Sequence, residues 1–267
     1  MAIITHQKGE LEYLAAQNIT AVHCFTTRFG GVSKGYLASM NIGTHRGDTR
    51  ENVLKNYQIL GDSLCFDPHK LVLSHQTHTD IIKVVGNEEA GAGLFAPELD
   101  ECDGLITNTP GIGLAVFSAD CTPILLHDPV TGAVGAVHAG WRGTAAGIVA
   151  KAISAMVREF SCDPANIRAA IGPNIGQCCF ETDADVPQAM IQALGAAANA
   201  YIRKTGEKYH LDLKAINALW LQNAGVSRIE IAKHCTACDP QRFWSHRRVG
   251  SLRGSQGAII ICKEADQ

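Results

Sequence analysis

Between residues 70 and 140 short apolar runs follow one another with no helical segment between them, and this succession restricts the fold more than any other feature of the chain. Strand-like segments fall near 70–74, 80–85, 104–107, 113–118, 122–127 and 133–138, with others near 21–26, 167–172, 228–232 and 257–262. Helical periodicity appears near 51–60, 143–160, 183–200 and 212–224. The last of these starts at Asp212 and stops at Gly225, the expected asymmetry of cap residues. Strands that succeed one another without crossover helices argue against a doubly wound parallel sheet and predict an α+β fold of mixed β-sheets flanked by helices. The chain has 267 residues, 46% of them hydrophobic, enough for a large core. It shows no linker, repeat or low-complexity stretch, so one compact domain over residues 1–267 is expected. The segment at 87–103 reads as a flexible surface loop.

Three residues beside those apolar runs carry the chemistry: His78 in SHQTH, Cys121 in SADCTP and His138 in AVHAGWRG. Two neutral imidazoles and a thiolate suit a tetrahedral zinc ion, and three protein ligands leave one position for water or substrate. The residues are too remote from one another for a local finger, so only a folded domain could assemble them. Taken singly, each also fits an ordinary role, a small buried hydrophobe for the cysteine and a satisfied core group for each histidine. The polar break at residues 118–123 inside an apolar region predicts a bent loop at a sheet end, a usual place to present reactive side chains. His138 ends the next strand, and the chain turns through Gly140 and Gly143 into the 143–160 helix. The free N–H groups of that helix start, with Arg142, suggest an anion cradle; capping of a nearby carbonyl by Arg142 is the other reading. Asp120 is the candidate proton donor or the partner of His138, with Asp103 as the alternative, and either could equally be a solvated carboxylate.

The strings TTRFGGVS, MNIGTHRGD, HQTH, DGLITNTPGIGLAVFSADCTPILL, VHAGWRGTAAGI, IGPNIGQCCFE and HCTACDPQRFWSHRRVG, in this order, resemble the YfiH/YlmD family over nearly the whole chain. That family once carried the label of multicopper polyphenol oxidases or laccases. The resemblance implies a cytoplasmic, zinc-dependent enzyme that phosphorolyses adenosine, inosine, guanosine and methylthioadenosine and also deaminates adenosine. It places the metal ligands on His78, Cys121 and His138, with copper as the metal of the older label, and leaves His75, before the Gln of QxH, outside the ligand set. Related proteins also suggest a runner-up, an amidase editing UDP-muramoyl-peptide precursors, with Cys121 and His138 as nucleophile and base or as metal ligands. A laccase needs several copper centres rich in histidine, and the 11 histidines here form no HxH pair. In phosphorolysis, phosphate held near Arg142 would attack C1′ of the ribose; in deamination, water activated at the metal would attack C6 of the base.

Two glycine-rich segments are candidates to meet substrate. Arg28, Gly30, Gly31 and Ser33 combine a cation, a tight turn and a hydroxyl, and Asn41, His45 and Asp48 cluster around Gly43 and Gly47. The substrate-binding set is therefore Arg28, Asn41, His45, Asp103 and Arg142. Near the C-terminus Arg247 and Arg248 follow His246, where the resembled family has Tyr in SYRR. Cys235 and Cys238 form one CxxC and Cys178 and Cys179 an adjacent pair; neither alone is a strong metal signal, and they read as loop thiols and pocket wall.

Charge narrows the partners. A formal net charge of −3 with scattered Lys and Arg gives no field for nucleic acid. No run approaches the roughly 20 apolar residues of a membrane span, and the first residues lack a signal-peptide pattern. The expectation is a cytoplasmic monomer or homodimer with reduced thiols, acting on purine nucleosides and phosphate.

Overall fold

Strands covered on both faces appear in sequence as unbroken apolar runs, because each face must be dry. In the computed structural model, which describes residues 2–263, the central strands meet this condition by lying in two six-stranded sheets packed face to face. The first sheet has the order Ile3–Lys8, Leu11–Ala16, His23–Thr26, Gln256–Ile261, Gly113–Ser118, Leu71–Leu73. The second has the order Arg228–Ile231, Arg168–Ile171, Thr122–His127, Val134–Ala139, Gly104–Thr107, Ile82–Val84. Interior pairs are antiparallel. Edge strands Leu71–Leu73, Ile82–Val84 and Arg228–Ile231 run parallel to their neighbours. The fold is thus α+β with mixed sheets flanked by helices, as the sequence predicts.

Alternate residues of one strand serve different cores. Leu114 and Val116 face the second sheet while Ala115 points to the outer layer, and Leu125 faces inward while Ile124 and Leu126 point outward. Helix Arg50–Leu64 covers the first sheet with Val53, Tyr57 and Leu60, spaced four and three residues apart, and Thr49 caps it by accepting from the Asn52 amide. Helices Ile148–Phe160 and Leu213–Asn223 cover the second. Each large aliphatic side chain so buried contributes about 1.5–3 kcal/mol.

Several segments differ from expectation. The single helix expected at 143–160 is two, Trp141–Ala145 and Ile148–Phe160, broken at Gly147. Gly147 has φ +71°, a Cβ there would lie 3.2 Å from the Trp220 ring, and the Trp220 indole donates to the Thr144 carbonyl at 2.8 Å. The 183–200 helix is an α-helix over Asp185–Leu194 followed by a 3-10 turn, Gly195–Tyr201. Strands Ile3–Lys8 and Leu11–Ala16 form an outer hairpin turned at Gly9, whose polar, exposed edge carries no apolar run. A small third sheet joins Glu181–Thr182, Lys208–Leu211 and Ile202–Thr205. The 87–103 segment is not a loose surface loop. Gly91 donates to the Leu71 carbonyl, Ala92 accepts from the Leu73 amide, and Leu94, Cys102 and Asp103 are buried. Among the described residues no helix is long and apolar enough to cross a membrane.

Candidate metal centre and its cavity

The chain passes from the first sheet to the second through the short connection between Gly113–Ser118 and Thr122–His127, and Cys121 sits on that connection. Asp120, just before it, takes φ +100°, and His78, on the loop after Leu71–Leu73, takes φ +66°. Both are left-handed conformations that side-chain-bearing residues rarely adopt, costing of order 1–3 kcal/mol each. Each is fixed by what surrounds it. The amides of Thr77, His78 and Thr79 all donate to the Asp103 carboxylate, at 3.2, 3.1 and 2.7 Å, and the Thr79 hydroxyl adds a bond of 2.8 Å. This nest of consecutive N–H groups holds an anion and so shapes the loop that carries His78.

His138, on strand Val134–Ala139, completes the group. Its Nδ1 lies 2.7 Å from Asp103 Oδ1. Asp103 is fully buried; burial opposes its charge, but His138 and Thr79 outweigh that and keep its carboxyl below the ordinary range. An ionised carboxylate only accepts, so Nδ1 carries the proton and Nε2 is the nitrogen left for the cluster. The ligating atoms of His78, Cys121 and His138 lie within 4.8 Å of one another. His78 Nε2 is 3.8 Å from Cys121 Sγ, against about 3.6 Å for two ligands of one tetrahedral zinc ion. Gly140 closes the group from behind: a Cβ there would lie 2.9 Å from His78 Cδ2 and 3.3 Å from Cys121 Sγ.

Electrostatics agree with a cation site. Burial would push the Cys121 thiol up, but His138 and His78 outweigh it and bring its pKa down to about 6. Burial would push His138 down, yet Cys121 and Asp103 lift it to about 9. Without a cation the cluster holds its proton between thiolate and imidazole. A metal ion would take that proton's place.

A cavity opens from the cluster. Besides His78, Cys121 and His138 its wall includes His45, Arg46, His75, Phe117 and Arg253. His45, expected to meet substrate, faces the cavity with Nε2 2.5 Å from Glu98 Oε1, and Glu98 comes from the 87–103 segment. Arg46 and Arg253 were not singled out by the sequence. Burial and the nearby charge of Arg46 bring Arg253 down to about 10, so two guanidinium groups share one wall. Arg46 could have been found beside His45 in MNIGTHRGD; SLRGSQG carries no comparable signal.

The other expected residues stand elsewhere. Asp120 is not the partner of His138: its carboxylate accepts from the Thr236 hydroxyl and the Arg247 amide, each at 2.6 Å, and its carbonyl from the Ile175 amide. It braces the Cys121 connection from behind. Asp103 faces His138 and the nest, not the cavity. Arg28 lies 3.7 Å over the Trp244 ring and donates to the Pro240 and Ala38 carbonyls. Asn41 is fully buried, with its oxygen accepting from the Gly43 and Ser255 amides and its amide donating to Asp48. Arg142 is exposed over the Trp141 ring, away from the cavity wall. The five-residue helix that carries it, Trp141–Ala145, is too short to act as an anion site. Arg247 holds the Cys179 and Glu181 carbonyls.

A family model described as multi-copper polyphenol oxidoreductase laccase matches residues 22–263. The chain is 40% identical over 249 residues to a protein of Geobacillus stearothermophilus named purine nucleoside phosphorylase YlmD, covering 91% of each. It is 35% identical to a protein of Bacteroides thetaiotaomicron named purine nucleoside phosphorylase, covering 95% of this chain and 96% of the relative. The crystal structure of YlmD from Geobacillus stearothermophilus superposes with a TM-score of 0.92 at 37% identity, covering 98% of this chain and all of that one.

Proposed function

Because the chain belongs to the YfiH/YlmD family, described as multi-copper polyphenol oxidoreductase laccase, we propose that it is a zinc-dependent purine nucleoside phosphorylase. The observation that carries this reading is a cavity with a His-Cys-His donor set at one end and two guanidinium groups on its wall. The donor set, one thiolate and two imidazoles with ligating atoms within 4.8 Å of one another, fits zinc. Bound there, zinc supplies a Lewis acid that polarises a substrate atom.

The chain's own residues supply the rest. Arg46 and Arg253 hold phosphate with charge-assisted hydrogen bonds and aim an oxygen at C1′ of the nucleoside. The C1′–O bond forms as the C1′–N9 bond breaks, and the electron pair leaves with the purine. Phe117 offers a ring against the base. His75 donates from Nδ1 to the Leu99 carbonyl at 2.9 Å, which leaves Nε2 as the exchangeable nitrogen of a ring lining the cavity and suits it to pass a proton to the departing base. Asp103 keeps His138 in one tautomer and one orientation throughout.

Purified protein of known zinc content is incubated with adenosine, with and without phosphate. Adenine and ribose 1-phosphate, formed only with phosphate, support the reading. Inosine formed without phosphate assigns adenosine deamination to the same centre. Neither product, with zinc present, overturns the nucleoside assignment and turns attention to amide cleavage of a UDP-muramoyl peptide.

A further inference from the structure

The two cysteine pairs that look unremarkable in sequence meet in space. Cys178 and Cys179 lie on the turn after Gly176, and Cys235 and Cys238 on a second turn that bridges to Asn174. All four sulfurs lie within 4.8 Å of one another, with Cys238 Sγ 3.5 Å from Cys178 Sγ and 3.4 Å from Cys179 Sγ. Four thiolates at about 2.3 Å from one zinc ion place neighbouring sulfurs about 3.8 Å apart. We propose that Cys178, Cys179, Cys235 and Cys238 form a second, structural zinc site, separate from the His78, Cys121 and His138 centre.

The backbone leaves room for the sulfurs and donates to one of them. The Gly176 amide donates to Cys235 Sγ at 3.1 Å, and a Cβ on Gly176 would lie 3.3 Å from Cys178 Sγ, so the turn is open enough for the sulfurs to converge. Lys214 is buried, with its ammonium bonded to the Ala232 and His234 carbonyls at 2.9 Å, which holds a cation against the residue before Cys235. Four protein sulfurs fill a tetrahedron and leave no position for substrate, which makes the site structural.

Its position gives it a purpose. The residues beside the cysteines grip the connection that carries Cys121: Ile175 donates its amide to the Asp120 carbonyl at 2.9 Å, the Thr236 hydroxyl donates to the Asp120 carboxylate at 2.6 Å, and Asn174 donates to the Thr122 hydroxyl at 2.8 Å. An ion joining the two turns therefore stiffens the back of the first centre without touching its cavity.

The full chain, purified under reducing conditions, is assayed by elemental analysis and thermal unfolding. Wild type is expected to hold about two zinc ions per chain, and Cys238→Ser and Cys121→Ser about one each. Cys238→Ser is expected to unfold at lower temperature. In the cobalt-loaded Cys121→Ser protein the strong visible bands of a tetrathiolate site should persist, and in cobalt-loaded Cys238→Ser they should vanish. A wild-type content of about one zinc, unchanged in Cys238→Ser, overturns the proposal. These readouts do not depend on nucleoside turnover, so the two assignments fail separately.

Discussion

The 2.7 Å bond between His138 Nδ1 and Asp103 Oδ1 decides which ring nitrogen faces Cys121. Because the same carboxylate accepts three amides of the His78 loop, one buried anion positions two of the three candidate ligands. Asp103→Asn removes the charge and turns one acceptor into a donor amid these N–H groups. Zinc affinity, read by competition with a chromogenic chelator, is expected to fall about 10–100-fold, the usual cost of losing a partner behind a ligand. Unchanged affinity in a folded variant would remove Asp103 from this role.

Gly140 tests the packing of the cluster apart from its chemistry. Its φ of −67° is open to any residue, so Gly140→Ala strains nothing in the backbone. The new methyl would stand 2.9 Å from His78 Cδ2, closer than carbon atoms approach, and the imidazole must move. Less bound zinc and lost turnover, with a near-normal melting temperature, are the expected results. Full zinc content would show that the loop yields at no cost.

For the anion, Arg46→Gln and Arg253→Gln are expected to raise the KM for phosphate at least about 10-fold each, since a hydrogen bond between charged groups is worth about 1.5–3 kcal/mol. The KM for nucleoside should move less. Arg142→Gln, away from the cavity, should leave phosphate kinetics near wild type. The reverse ranking would return the phosphate site to Arg142.

These substitutions also mark where sequence reading succeeds and where it stops. The grouping of His78, Cys121 and His138 and the interior strands were legible because strands dry on both faces appear as apolar runs, and because the three candidate ligands sit in polar breaks beside them. Arg142 misleads because it lies within GWRG in sequence while the Gly147 break, set by Trp220 from a distant helix, turns its helix into a short stub. Asp120 misleads for a similar reason: adjacency to Cys121 says nothing of the positive φ that directs its carboxylate toward Thr236 and Arg247. Asp103, named in sequence as the alternative partner of His138, is the carboxylate that meets it, while Arg253 owes its position to contacts across the fold that no local pattern records. The four cysteines show the same limit, since each pair is weak alone and only tertiary structure joins them.

Cysteine chemistry at Cys121 separates ligand from nucleophile. Cys121→Ser puts a hydroxyl in place of the soft sulfur that a zinc site uses. In the metal reading, removal of zinc by a strong chelator abolishes turnover of wild type, and zinc added back restores it. Activity that survives rigorous chelation while Cys121→Ser is dead would make the sulfur a nucleophile with His138 as its base.

Acid stability offers a test remote from the metal centre. His127 ends strand Thr122–His127, is 5% exposed, and pairs in register with Arg168. Burial first, then the Arg168 charge, push its pKa down to about 4 from an ordinary 6.5, with Asp128 opposing. The unfolded chain then binds a proton near 6.5 that the folded chain refuses until about 4, so the unfolded state holds more protons between those values. The stability owed to a neutral His127 is complete above pH 6.5, falls through that window, and is gone below about 4, a loss of about 3 kcal/mol at 1.36 kcal/mol per unit. His127→Gln cannot take up that proton. Its urea midpoint should therefore drop less than that of wild type between about pH 7 and about pH 4.5, and equal drops in the two proteins would show that His127 is not what acid attacks.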